Sequence, residues 1–285
     1  MWGVLAFYTT SALFYWSDIF QKKTSENHNG WSFIFYRSLF TFGVTLIIAL
    51  GFGESLNGLD VIDYAHITGS CVVCMFGLYF YLRSIKVNRF ANVGALSLVG
   101  NPMQWLIGWL VFHEHVVFWD IPIMMLLASG SVIQMLSKSS FDGAKWVLLS
   151  SLSWSVGYAW LSHVINEFPL ALSVAWMEGV LVVASAFIIL LDGGFKRHKI
   201  EINVSWSGRM IFLGVVVFLA SYCNHFSYRE NDLSLLSLLH LTTFPLYYFL
   251  SLRIFRDKPN RKEWVTFITG LLGLLGMAFK AFYYS

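Results

Sequence analysis

Charged residues are scarce in this sequence. Only 12% of its 285 residues are Asp, Glu, Lys or Arg, and 57% are hydrophobic, whereas a soluble domain typically carries about 25% charged residues. So little polar surface cannot cover the outside of a soluble fold. A bilayer removes that requirement and instead demands long apolar helices. We therefore predict an integral, multi-pass membrane protein whose surface contacts the lipid bilayer.

Several functional motifs are also missing. The three cysteines, Cys71, Cys74 and Cys223, all lie within apolar stretches, which argues against a disulfide framework. The Cys71–Cys74 pair lacks further ligands, so we predict no metal site. No Walker-type phosphate loop is present, which argues against direct ATP drive. We predict no cofactor and no nucleic-acid partner.

Apolar segments of membrane-spanning length recur along the whole chain, separated by short polar breaks. No basic stretch precedes the first segment, so we expect a retained helix there and not a signal peptide. The ten predicted segments cover residues 2–20, 32–52, 65–83, 91–112, 119–137, 145–164, 168–191, 209–228, 233–253 and 262–282.

The two parts of the chain resemble each other. Pro102 and Pro245 lie 143 residues apart, and Glu114 and Asp257 have the same separation. The same shift relates the helical face of Ser97, Asn101, Gln104 and Gly108 to that of His240, Phe244, Tyr247 and Ser251. Five helices per part is an odd number, so the two parts must have opposite orientations in the membrane. We therefore predict an all-α fold of ten transmembrane helices in two inverted five-helix repeats, 1–141 and 142–285, with a substrate site near the midplane.

The positive charges indicate an orientation. All but three of the 19 Lys and Arg residues lie in the odd-numbered connections or at the helix ends beside them. The exceptions are Arg37 within the second segment, Arg229 and Lys280. Because cytoplasmic loops carry the Lys/Arg excess, the odd connections are predicted to be cytoplasmic. Both termini would then face away from the cytoplasm.

A familiar pattern combines two five-helix halves, Arg37 in the second helix, and a fourth helix that contains Pro102 and ends in Phe112-His113-Glu114. With the stretch 77–86 at the end of the third helix, it resembles the EamA-type family of the drug/metabolite transporter superfamily. The resemblance implies a central cavity, alternating access and small metabolites such as amino acids as substrates. It also implies cytoplasmic termini, opposite to the orientation that the charges indicate. We expect the bacterial cytoplasmic (inner) membrane as the location.

Two ionisable residues inside predicted helices are candidate site residues. A carboxylate at the position of Glu178, in the middle of the seventh helix, costs about 2.5–3.5 kcal/mol to insert. Such a group carries a proton, contacts substrate, or only hydrogen-bonds a neighbouring helix. A histidine side chain can titrate near neutral pH, which makes His240 the second candidate. It forms a proton relay with Glu178, contacts substrate, or simply packs.

Further polar and aromatic residues complete the predicted substrate site. Asn101 and Gln104 flank the helix break expected at Pro102, where they line a cavity or join helices by hydrogen bonds. Arg37 either acts as a gate, anchors a carboxylate, or forms a structural ion pair with Asp18. The aromatic candidates are Tyr79, Trp154, Tyr158 and Tyr247.

We therefore expect a secondary transporter, not an enzyme, that moves a small organic solute by alternating access, with protons as the coupling ion. A carboxylate, a histidine and several aromatic residues suit a zwitterionic or cationic metabolite such as an amino acid. An intramembrane enzyme is the main alternative, although the sequence offers no evident nucleophile–base pair. A receptor or scaffold would need larger soluble loops. The sequence leaves a monomer and a homodimer open.

Overall fold

The computed structural model is built from helices. It describes residues 2–25, 29–55, 59–88, 90–114, 118–135, 141–194, 204–256 and 261–284, which contain no strand. The elements are α1 (Trp2–Ser25), α2 (Gly30–Gly51), α3 (Val61–Val87), α4 (Phe90–Ser97), α5 (Gly100–Leu110), α6 (Asp120–Met135), α7 (Phe141–Val164), a 3₁₀ turn (Ile165–Glu167), α8 (Leu170–Leu191), α9 (Val204–Glu230), α10 (Leu233–Phe255) and α11 (Arg261–Tyr284).

Within the described ranges, four helical segments are long and apolar enough to cross a membrane. They are Gly30–Gly51, Val61–Val87, Leu170–Leu191 and Ser207–Glu230. Large apolar side chains on two of them point away from the protein interior, since Ile47 is 73% exposed and Val183 is 70% exposed. Contact of such an apolar surface with lipid chains is favourable, whereas its exposure to water is unfavourable. Ten membrane crossings stay a prediction.

The predicted fourth segment, 91–112, is not one helix. It breaks into α4 and α5, and the amide of Val99 bonds the carbonyl of Leu96 in the tighter 3₁₀ pattern, at 3.2 Å. Pro102 explains the break, because proline lacks an N–H and its ring clashes with the carbonyl four residues earlier, here that of Leu98. The face predicted to run from Ser97 to Gly108 is therefore interrupted.

The chain forms two compact units, and each contains segments from both predicted repeats. The first unit comprises Met1–Leu82 and Trp160–Asn231. Within it, α2 packs on α8 and α9, and α1 packs on α9. The backbone of α9 comes close to α2 at Gly214, where an added Cβ would lie 3.3 Å from Thr41 Cα. Small residues let these helices approach closely, as in membrane bundles.

The second unit comprises Arg83–Ala159 and Asp232–Ser285. Within it, α10 packs on α4, α5 and α11, and α6 packs on α11. Tyr248 and Phe267 stack at the centre of this unit, with ring centroids 4.8 Å apart. Buried apolar side chains surround them, namely Leu98, Trp105, Ile123, Met124 and Leu238.

Candidate functional site

A buried ion pair joins α2 and α8 in the first unit. Arg37 Nη2 donates to Glu178 Oε1 at 3.0 Å, and the side chains of Arg37 and Glu178 are only 6% and 0% exposed. The two residues lie 141 positions apart in the sequence. Removing one partner of a buried pair typically costs about 3–5 kcal/mol, because it strands the other charge. The pair thus ties a helix of the first predicted repeat to a helix of the second.

The ion pair leaves several polar atoms without a hydrogen bond. Among the described residues, Arg37 Nε and Nη1 and Glu178 Oε2 have no partner, nor has the nearby Ser38 hydroxyl. An arginine presents five N–H donors in a planar fork. A buried polar atom without a partner costs about 1–3 kcal/mol. The pair can therefore take a further acceptor on Arg37 and a further donor on Glu178.

Asp18 lies on the edge of this polar cluster. The Tyr81 hydroxyl donates to its carboxylate, and Arg37 interacts with it electrostatically. The predicted structural ion pair between Arg37 and Asp18 is thus not the salt bridge that forms. Arg37 pairs with Glu178 instead, because α2 packs along α8.

The predicted aromatic residue Tyr79 also belongs to the first unit. Its ring stacks on Trp31, with centroids 4.0 Å apart and an angle of 5° between the ring planes. Gly30 makes room for the stack, since an added Cβ there would lie 3.2 Å from the Tyr79 ring. Tyr79 thereby fixes the start of α2 against α3.

The other predicted site residues belong to the second unit. Asn101 and Gln104 are buried in α5, at 7% and 6% exposure, as expected for inward-facing polar side chains. Among the described residues, Asn101 Nδ2 has no hydrogen-bond partner. His240 is half-buried in α10, and Trp154 and Tyr158 are half-buried in α7. Tyr247 lies in α10, with its side chain outside the described part. The relay between His240 and Glu178 stays a prediction.

Glu54, directly after α2, is not singled out by the sequence alone. Its Oε1 accepts from the Ala171 amide at 3.3 Å, and its Oε2 accepts from the Leu172 amide at 2.8 Å. Both amides lie in the first turn of α8, where backbone N–H groups have no partner within the helix. A carboxylate at this end also interacts favourably with the helix dipole.

Glu114 repeats this arrangement in the second unit. Its Oε1 accepts from the Leu233 amide at 2.8 Å, and its Oε2 accepts from the Ser234 amide at 2.7 Å. These amides begin α10. A shared local pattern, Phe52-Gly53-Glu54 and Phe112-His113-Glu114, could have linked the two glutamates in advance. In both, the middle residue has a positive φ, 67° and 53°, which ends the helix and turns the glutamate away from its axis.

A buried serine–histidine pair lies at the start of α8. Ser173 Oγ and His225 Nδ1 are 2.8 Å apart, a contact that is not evident from the sequence. Because the single hydroxyl hydrogen of Ser173 is donated to the Leu170 carbonyl, His225 Nδ1 is the donor in this contact. The Ser173 hydroxyl also lies 2.7 Å from the carbonyl of Leu170, as expected for a serine in a helix. Among the described residues, His225 Nε2 has no hydrogen-bond partner.

Comparison with known proteins supports the fold. No protein-family model and no curated protein matches the sequence. By contrast, 28 chains of solved structures match. One protein crystal structure is similar over 98% of this chain and 97% of its own length, with a TM-score of 0.70 and 16% sequence identity. At that identity the similarity extends to the fold alone. The molecule is thus an all-α protein with helices able to cross a membrane.

Proposed function

We propose that this chain is a secondary transporter of the EamA type, which moves a small organic solute by alternating access with protons as the coupling ion. In this proposal ten helices cross the bacterial inner membrane in two inverted five-helix repeats. The solute is a zwitterionic or cationic metabolite such as an amino acid.

The ion pair between Arg37 and Glu178 is the observation that carries this proposal. Ionisable residues within membrane helices are costly and mark pathways for substrates or protons. Here the two charges belong to different predicted repeats, between which inverted-repeat transporters bind their substrates. The unpartnered atoms of the pair match a zwitterion, with a carboxylate on Arg37 and an ammonium group on Glu178 Oε2.

Uptake into proteoliposomes tests this function. The purified protein would be reconstituted, with a pH gradient imposed, and offered a panel of amino acids and amines; a thermal-stabilisation screen first selects the panel. We expect uptake driven by the gradient. Glu178→Gln should lower it by roughly tenfold or more, because glutamine can neither take up and release a proton nor form an ion pair with Arg37.

Glu167→Gln is the matched control, since Glu167 is an exposed acid in the turn before α8; its uptake should equal that of the parent. If Glu178→Gln transports with unchanged pH dependence, Glu178 is not the coupling group. If no solute moves in the parent protein, the transporter assignment fails.

The buried Ser173–His225 pair favours a second candidate, an intramembrane hydrolase. A histidine activates a serine nucleophile by accepting its hydroxyl proton. In this candidate the Ser173 hydroxyl turns from the Leu170 carbonyl to His225 Nδ1, which lies 2.8 Å from Ser173 Oγ. One variant distinguishes the hydrolase from the transporter. Ser173→Ala should abolish hydrolysis of an ester or peptide substrate but should leave uptake intact.

A further inference from the structure

Two carboxylates make the same unusual contact. Glu54 and Glu114 each follow a helix of the first predicted repeat, and each accepts two consecutive amides at the start of a helix of the second. We propose that Glu54 and Glu114 are latches, which hold one face of the transport pathway closed and release when that face opens. This inference rests on the alternating-access function proposed above.

Ordinary helix capping does not account for these contacts. α2 and α3 are capped locally, by Asn29, which accepts from the Trp31 amide, and by Asp60, which accepts from the Ile62 amide. Local residues of this kind are the normal solution at a helix start.

α10 has such a residue in place, because Asp232 occupies its N-cap position, yet the Asp232 side chain makes no capping bond. The Leu233 amide is bonded instead by Glu114, 119 residues away. The N-cap residue of α8 is Pro169, which has no side chain able to cap. The distant carboxylates thus cap α8 and α10 as adjacent residues cap α2 and α3. Each of these contacts also joins two helices.

The latch at Glu114 is built into the end of α5. The Glu114 amide donates to the carbonyl of Gly108 at 3.1 Å. An added Cβ at Gly108 would lie 2.6 Å from Glu114 Oε2, so a glycine is needed to let the carboxylate fold back beside α5. His113 supplies the required turn with its φ of 53°. Glycine is the residue that tolerates that φ best. Because His113 occupies this position instead, the surrounding structure must hold its backbone in this conformation.

The predicted topology gives both latches a common face. Glu54 and Glu114 lie in the second and fourth connections, and α8 and α10 begin after the sixth and eighth. These four connections are all even-numbered, so the predicted orientation puts both latches on the non-cytoplasmic face. Any movement that separates the repeats there must break the two hydrogen bonds of each latch.

Distance measurements between spin labels test the latch in the second unit. Leu110 and Leu235 flank it on α5 and α10 and are 60% and 39% exposed, so labels fit there. Cysteines at these positions would be labelled in full-length protein with Cys71, Cys74 and Cys223 replaced by serine. We expect Glu114→Gln to enlarge a longer-distance population on the order of tenfold, because glutamine accepts one amide bond fewer and carries no charge.

Gly108→Ala is the second variant, since it displaces the carboxylate but keeps the charge; the same enlargement is expected. Gly43→Ala is its control, as nothing lies within 4 Å of an added Cβ there. A mere helix cap would lower the melting temperature and leave the distances unchanged, and that result with Glu114→Gln or Gly108→Ala overturns the latch.

The two proposals can fail separately. Transport by the parent protein with unchanged distances in either variant keeps the transporter and removes the latch. A distance change without any transport keeps the opening movement and removes the transporter.

Discussion

At the scale of single residues, burial determines what the charges can do. Glu178 is fully buried, and its Oε1 meets Arg37 Nη2 at 3.0 Å. Desolvation of two charges can exceed their attraction, so such a pair is not by itself a stabilising device. The transport role that we propose for this pair would account for its burial and for its further unpartnered atoms.

A double-mutant cycle measures what the pair contributes to stability. Arg37→Met alone should lower the free energy of unfolding by about 3–5 kcal/mol, because it strands the Glu178 carboxylate. Arg37→Met combined with Glu178→Met should cost far less than the sum, since apolar replacements remove both charges together. Thermal or denaturant unfolding in detergent measures each variant. Additive losses would mean that the two side chains do not interact.

The candidate site was only partly accessible from the sequence. A carboxylate in the middle of an apolar segment singles out Glu178 without any structure. Its partner could not be found that way, because helix packing brings Arg37 to it across 141 residues, whereas local reasoning pointed to Asp18. In the sequence, Glu54 and Glu114 resemble ordinary acidic loop residues. Only the structure shows that they contact the starts of α8 and α10.

At the scale of helices, apolar length and polar breaks predicted most elements. Nine of the ten predicted segments each coincide with one helix, to within a few residues at each end. The fourth segment is the exception, because it is divided between α4 and α5 near the helix break expected at Pro102. The proline of the second repeat, Pro245, lies within the unbroken α10. A proline therefore interrupts the helix in the first repeat but not in the second, since the surrounding helices decide whether a break is tolerated.

Pro102→Ala should join α4 and α5 into one helix. Alanine at this position supplies an N–H that can bond the Leu98 carbonyl and removes a penalty of about 3 kcal/mol for proline inside a helix. Hydrogen exchange should therefore slow for the amides of residues 99–101, because these amides become part of one continuous helix.

Pro122→Ala is the control for this exchange measurement. Pro122 lies in the first turn of α6, where an N–H has no partner within the helix. Its substitution should leave exchange unchanged. Unchanged exchange at residues 99–101 in Pro102→Ala would show that packing, not the proline, breaks the helix.

At the scale of the whole molecule, the charge distribution and the family resemblance predict opposite orientations in the membrane. The two ends of α8 offer a direct test, because Glu167 precedes this helix, Asp192 follows it, and both are exposed. The Lys/Arg excess places the seventh connection, after Asp192, in the cytoplasm. In a background without native cysteines, a membrane-impermeant maleimide added to intact cells should label Glu167→Cys and spare Asp192→Cys. Permeabilised cells should show both labelled. The reverse pattern would mean that the termini are cytoplasmic, and the face that the Glu54 and Glu114 latches close would then be the cytoplasmic one.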